Sequence, residues 1–91
     1  MPRREIIKRI PGGKTLKIEV EVSEGKIVGV VLSGDFFAYP PEAFEDMERS
    51  LISADVKEIE EKIRAYEDKV VLLGLSIEDI ISAFKELFNL S

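Results

Sequence analysis

The segment from residue 15 to residue 22 alternates apolar and charged side chains without a break, and this pattern constrains the fold more than any other feature. Strict alternation predicts a β-strand that packs one face on a hydrophobic core and leaves the other face in water. Other parts of the chain must therefore cover the apolar face. The apolar side chains are Leu16, Ile18, Val20 and Val22, and the charged ones between them are Lys17, Glu19 and Glu21.

Two turns are predicted on either side of this strand. Residues 4–10 have the composition of a short edge strand, and the Pro-Gly-Gly sequence at 11–13 favours a turn after it. Residues 23–26 predict a hairpin turn in which Gly25 supplies the positive φ that a tight turn needs. The first part of the chain is therefore predicted to form an antiparallel meander.

The third predicted strand covers residues 27–33, which are apolar at nearly every position. Gly29 in its middle predicts a β-bulge, an extra residue on one strand of the pair. Such a bulge would let unevenly spaced side chains share the core face. These side chains are Ile27, Val30 and Leu32.

Three helices are predicted in the second half of the chain. Pro41 suits the first position of a helix, and Asp55 with Glu58 three residues later resembles a capping box. Ser76 is the predicted cap of the last helix. The apolar stripes at helical spacing are Phe44, Met47, Leu51 and Ile52, then Val56, Ile59, Ile63 and Tyr66, then Ile77, Ile80, Ile81, Phe84, Leu87 and Phe88.

The apolar run at 70–73 predicts a fourth short strand or a buried connection, of which we favour the strand. Strands followed by helices are typical of an α+β fold. We therefore predict a single domain over residues 1–91, with a small antiparallel sheet of three or four strands and about three helices packed on one face.

Composition excludes several classes of function. The sequence has no cysteine and no histidine, so it offers no thiolate nucleophile, no imidazole base and no zinc or iron site of the usual kind. The formal net charge of −5 opposes binding to nucleic acid, whose phosphates would repel the protein. We predict no catalytic, cofactor-binding or metal-binding residues.

Sequence features also indicate where the protein works. No apolar run is long enough to span a membrane or to form a signal peptide, which predicts a cytoplasmic protein without a membrane partner. Glutamine is absent, asparagine occurs once, and Glu, Lys, Arg and Ile are frequent. This bias resembles that of heat-adapted proteins, in which ion-pair networks increase and labile residues decrease.

Two motifs that suggest chemistry have simpler structural interpretations. Gly12-Gly13-Lys14 resembles a phosphate loop, but such a loop opens a helix, whereas here the motif leads into the alternating strand. The acidic stretch 55–68 carries many carboxylates interleaved with basic residues, including the predicted pairs Glu58–Lys62 and Glu60–Arg64. We interpret it as the solvated face of a helix.

The segment 33–41 leaves two interpretations open. A strand ends at Gly34-Asp35 and is followed by three aromatic residues before the proline-led helix. These aromatic residues either close the end of the core or form a docking surface for another protein. If the backbone stays extended, Phe36 and Phe37 point to opposite sides, one into the core and one toward solvent or a partner. Asp35 is expected to accept backbone N–H bonds and hold the turn.

Taken in order, several of these segments resemble the C-terminal accessory domain of lipoate–protein ligases. The resemblance spans nearly the whole chain and is most specific where Gly-Asp-Phe-Phe follows an apolar strand. It is carried by Ile10-Pro11-Gly12-Gly13-Lys14, Gly25-Lys26-Ile27 and Gly34-Asp35-Phe36-Phe37, and continues through Pro40-Pro41-Glu42, residues 48–51 and Gly74-Leu75-Ser76-Ile77-Glu78-Asp79-Ile80.

The resemblance implies the function of an accessory subunit in a split lipoate–protein ligase. In that family a large domain binds ATP, Mg and lipoate, forms lipoyl-adenylate and transfers the lipoyl group to lipoyl-domain acceptor proteins. The small domain is needed mainly for adenylation. The nucleotide-binding residues and catalytic lysine of the large domain have no counterpart in this sequence, so the resemblance implies no catalytic role for any of its residues. The implied partner is a separate catalytic ligase subunit, and the resemblance leaves lipoate and octanoate open as the acyl group. The alternative is a non-catalytic protein-binding or assembly module on the same scaffold.

Within this interpretation, the aromatic segment is the predicted partner interface. Its residues are Gly34, Asp35, Phe36, Phe37 and Tyr39.

Overall fold

The computed structural model describes residues 3–12 and 14–89, and over these residues the chain has the predicted α+β fold. Part of the predicted turn at 11–13 lies outside the described residues, because Gly13 does, as do the first two residues of the chain. The strands are β1 (Arg3–Ile10), β2 (Lys14–Ser23), β3 (Lys26–Gly34), β4 (Phe37–Tyr39) and β5 (Val71–Leu73), and the helices are α1 (Pro41–Ser50), α2 (Ile59–Arg64) and α3 (Ile77–Leu87), with a 3-10 turn (Val56–Glu58) before α2.

Strands β1, β2 and β3 form an antiparallel sheet in that order. Ile18 at its centre pairs with Ile6 on β1 and with Leu32 on β3. The predicted bulge is confirmed, because Glu21 pairs with Gly29 while the next residue, Val22, pairs with Ile27. The unpaired extra residue is Val28, and the bulge brings Ile27 and Leu32 onto the same buried face.

One hydrophobic core lies between this sheet and the three helices. Leu16, Ile18 and Val20 on the apolar face of β2 are buried as predicted, and Val22 near the end of the strand is half-buried against the core. The charged face of β2 points away from the helices. Helix–sheet packing of this kind buries the apolar stripe of each helix. The buried side chains include Leu16, Ile18, Val20, Ile27 and Leu32 from the sheet, and Phe44, Met47, Leu51, Ile59, Ile63, Ile80, Ile81 and Phe84 from the helical half.

The last two helical segments are capped by the residues that the sequence predicts. Asp55 and Glu58 form the predicted capping box, and Ser76 with Asp79 forms a second one at the start of α3. The predicted ion pair between Glu60 and Arg64 forms, with Nη2 3.0 Å from the carboxylate. The carboxylate of Glu58 instead accepts a hydrogen bond from the N–H of Asp55 at 2.9 Å.

The outer edge of β3 is covered by the segment around α1. Glu48 on α1 accepts a hydrogen bond from the N–H of Leu32 at 2.9 Å, and the backbone N–H of Ser53 donates to the carbonyl of Ile27 at 2.7 Å. Burial raises the pKa of the Glu48 carboxyl. These contacts satisfy backbone groups that an open sheet edge would expose.

Two details of the prediction need correction. Ile52 does not join the apolar stripe of the first helix, because α1 ends at Ser50 and leaves Ile52 exposed in the following turn. The fourth strand, β5, does not extend the main sheet. It pairs antiparallel with β4 in a separate two-stranded ribbon.

Candidate functional site

The ribbon formed by β4 and β5 has an outer face made only of apolar and aromatic side chains. Phe37 lies opposite Leu73, and Tyr39 lies opposite Val71. Directly paired and alternate residues share one face of an antiparallel pair, so the four side chains lie together. Their exposed fractions are 70% for Phe37, 67% for Tyr39, 61% for Val71 and 57% for Leu73. We call this surface the ribbon face.

The inner side of the ribbon is packed on the core. Ala38 and Leu72, which are paired across the ribbon, are half-buried against the core residues. Phe36 precedes β4 and packs edge-to-face on Phe44, with ring centroids 5.8 Å apart. Phe36 and Phe37 thus point in opposite directions, Phe36 toward the core and Phe37, the first residue of β4, toward solvent, as the extended geometry predicts.

Gly34 allows the end of β3 to approach the start of β2 more closely than any other residue could. A Cβ at this position would lie 2.1 Å from the carbonyl oxygen of Thr15. The φ of Gly34 is also +151°, in a region that L side chains rarely adopt. Both features require glycine at the point where the chain leaves the sheet for the ribbon.

Asp35 secures the same junction from the next position. Its Oδ1 accepts a hydrogen bond from the N–H of Thr15 at 2.6 Å, and its own N–H donates to the carbonyl of Thr15 at 3.4 Å. The hydrogen bond from Thr15 lowers the pKa of the Asp35 carboxyl, and the charges of Lys14 and Arg9 act in the same direction. The predicted role of Asp35 as an acceptor of backbone N–H bonds is confirmed, and the partner is on β2.

Because the pKa of Asp35 is lower in the folded protein than its ordinary value of 3.8, its ionised form stabilises the fold. This contribution is fully present above the ordinary value and is lost as the pH falls through the lower folded pKa. Asp35→Asn keeps an acceptor oxygen but cannot titrate. We therefore expect the difference in unfolding free energy between wild type and Asp35→Asn to shrink as the pH falls from 5 toward 3.

Urea unfolding at several pH values within this range measures that difference. The other carboxylates titrate equally in both proteins and cancel in the comparison. A difference that stayed constant with pH would contradict the assigned role of the Asp35 charge.

Three segments that are far apart in the sequence meet at the ribbon. Lys14 is the first residue of β2, as the turn interpretation of Gly12-Gly13-Lys14 requires, and its side chain lies against Gly74, where a Cβ would be 3.1 Å from its Cγ. Thr15 contacts Gly34 and Asp35 as described above. Three of the motifs that carry the family resemblance, those that contain Lys14, Gly34 and Gly74, therefore meet at the end of β5 and the start of β4.

Val71 and Leu73 belong to this site, although the sequence pattern did not predict them as part of it. The run 70–73 is entirely apolar, which favours a buried strand, but burial alternates along it: Val70 is buried, Val71 and Leu73 are exposed, and Leu72 is half-buried. An apolar run without a polar residue carries no signal of which side faces water. Only the pairing with β4 shows that two of its side chains extend the aromatic segment.

The acidic stretch at 55–68 forms surface ion pairs. Arg64 contacts Glu78 at 2.7 Å and Glu60 at 3.0 Å, and Lys85 also lies 3.0 Å from Glu60. The hydrogen bonds that Arg64 donates raise the pKa of its guanidinium, and those to Glu78 have a larger effect than the one to Glu60. Across residues 3–12 and 14–89, no three acidic side chains are grouped closely enough to hold a metal ion. Within the same ranges, no helix is both long and apolar enough to cross a membrane.

Comparison with known proteins confirms the resemblance to the subunits of split lipoate–protein ligases. No family model matches the chain. A curated relative, lipoate-protein ligase A subunit 2 of Thermoplasma acidophilum, is 27% identical over 71 residues, which cover 77% of this chain and 76% of the relative.

A solved structure agrees with this relative. It belongs to an archaeal lipoylation system of the same organism, described as a bi-partite lipoate protein ligase and its E2 lipoyl domain. One chain of that structure superposes with a TM-score of 0.75 at 25% sequence identity, covering 92% of this chain and 93% of the other.

Proposed function

We propose that this chain is the accessory subunit of a bipartite lipoate–protein ligase and acts only together with a separate catalytic subunit. The observation that carries this proposal is the match over nearly the full length of a chain in the bi-partite ligase structure. The curated relative, which is itself a numbered subunit of a lipoate–protein ligase, supports the same assignment.

In this proposal the catalytic subunit carries out both chemical steps. That subunit binds ATP, Mg and lipoate, and the lipoate carboxylate attacks the α-phosphorus to give lipoyl-adenylate and pyrophosphate. The amine of a lysine on a lipoyl domain then displaces AMP and forms the amide. This chain contributes no reacting group, which agrees with a sequence that contains neither histidine nor cysteine. Its contribution is to bind the catalytic subunit and favour the adenylating conformation.

Reconstitution tests this function directly. A ligase-like catalytic subunit from the same organism is mixed with ATP, Mg and lipoate, and pyrophosphate release and lipoyl-adenylate are measured with and without this chain. We expect the chain to raise the adenylation rate by at least about tenfold, equivalent to roughly 1.4 kcal/mol of activation free energy. A parallel reaction with octanoate identifies the preferred acyl group.

The isolated chain is the control. It should form no adenylate with ATP, Mg and lipoate, and calorimetry should detect no micromolar binding of ATP. A catalytic subunit that forms lipoyl-adenylate equally fast alone would contradict the proposal and favour the alternative, a protein-binding module on the same scaffold.

A further inference from the structure

We propose that the ribbon face, formed by Phe37, Tyr39, Val71 and Leu73, is the surface on which the catalytic subunit docks. This inference rests on the proposed function. The residues of the predicted interface then have two different roles. Gly34, Asp35 and Phe36 support the ribbon on its inner side, and the partner contacts only the outward-facing side chains.

The composition of the ribbon face is that of the centre of a protein interface. Two aromatic and two aliphatic side chains, each more than half exposed, adjoin one another across two paired strands. Tyrosine and other large side chains in the middle of an interface supply most of its binding energy. Scattered exposed apolar residues are normal on a protein surface, but four on one face of two paired strands form a patch that indicates a binding site.

Contacts within the chain preorganise the ribbon face for binding. Ala38 and Leu72 fasten its inner side to the core, and the contacts of Gly34 and Asp35 with Thr15 fix the chain at its entry. A preformed surface loses little conformational entropy on binding. The contacts of Gly34 and Asp35 with Thr15 therefore favour binding indirectly, because they fix the positions of Phe37 and Tyr39.

The ribbon face consists of only four side chains, whereas a stable interface takes about 20–30 residues from each partner, which argues for a larger partner and against a second copy of this chain. The largest apolar patch on a typical monomer is roughly 300–600 Å², whereas a stable interface buries about 800 Å² on each side. Two copies with a formal charge of −5 each would also repel one another. The catalytic subunit can cover the patch together with its polar surroundings.

The outer face of the main sheet provides matched controls. Ile7 on β1 is 63% exposed and Val31 on β3 is 52% exposed, similar to Leu73 and Val71 on the ribbon. Ile7 pairs with Lys17, and Val31 pairs with Glu19, so charged neighbours separate these two apolar side chains. The same surface is the competing location for the interface.

The test compares binding of single alanine variants to the catalytic subunit by calorimetry. We expect Phe37→Ala and Tyr39→Ala each to raise the Kd by about thirtyfold, and Leu73→Ala by about fivefold to tenfold, with melting temperatures close to that of wild type. Ile7→Ala and Val31→Ala should leave the Kd within about twofold of wild type. Adenylation with Phe37→Ala should fall at limiting chain concentration and recover at saturation, because the variant weakens docking only.

Each outcome separates this inference from the proposed function. If the wild-type chain binds and activates while the ribbon variants behave like wild type, the docking surface is wrong and the proposed function stands. Loss of binding in Ile7→Ala or Val31→Ala would move the interface to the sheet. Sedimentation that shows a dimer abolished by Phe37→Ala would identify a second copy as the occupant and overturn the inference. A wild-type chain that neither binds nor activates overturns both proposals.

Discussion

Replacing Gly34 with alanine should destabilise the protein by about 3–5 kcal/mol, a large part of the stability of a domain of this size. The added Cβ would lie 2.1 Å from the carbonyl oxygen of Thr15. This oxygen belongs to the backbone and cannot rotate away as the end of a flexible side chain can. Relief requires β2 and β3 to separate at their paired ends, which also breaks the hydrogen bond from Thr15 to Asp35. Urea unfolding of the variant measures the loss.

Gly25→Ala is the matched control for this prediction. Gly25 also has a positive φ, +77°, but a Cβ there would meet no atom within 4 Å. Its replacement should therefore cost only the conformational strain of a left-handed residue, about 1–2 kcal/mol. Equal losses in the two variants would show that the close approach to Thr15 does not limit the choice of residue at Gly34.

Ile18→Ala should cost about 3–4 kcal/mol of unfolding free energy. Ile18 is fully buried at the centre of the sheet, between Ile6 and Leu32. Truncation removes apolar area and leaves a cavity that the strands on both sides prevent from closing. Chemical denaturation at neutral pH gives the value directly.

The neighbouring residue Glu19 tests the other face of the same strand. It points outward and pairs with Arg3 at the surface, and exposed ion pairs contribute little to stability. Glu19→Ala should change the unfolding free energy by less than about 0.5 kcal/mol. Similar losses for Ile18→Ala and Glu19→Ala would contradict the assignment of the two faces of β2.

Several elements could be predicted from local sequence because their causes are local. The alternation along β2 specifies which face is buried whatever lies opposite it. The capping boxes at Asp55 and Ser76 depend on residues only three positions apart. The opposite directions of Phe36 and Phe37 follow from extended backbone geometry.

Other features depend on partners that are distant in the chain. Ile52 has the spacing of a core residue, yet the turn after Ser50 directs it outward. The sequence shows Gly34 only as part of a motif. The need for glycine at this position arises from the carbonyl of Thr15, which lies close only after β2 and β3 have paired.

The sequence by itself determined the α+β class, the core-facing side chains of β2 and β3 and the starts of the last two helices, because backbone periodicity and side-chain capping act over a few residues. It also carried the family resemblance. Only the tertiary structure decided that β5 pairs with β4 in a separate ribbon and that Val71 and Leu73 join Phe37 and Tyr39 on one exposed face. An apolar run is compatible with burial on either side, and its exposure is decided by the strand it pairs with, more than thirty residues away in this chain.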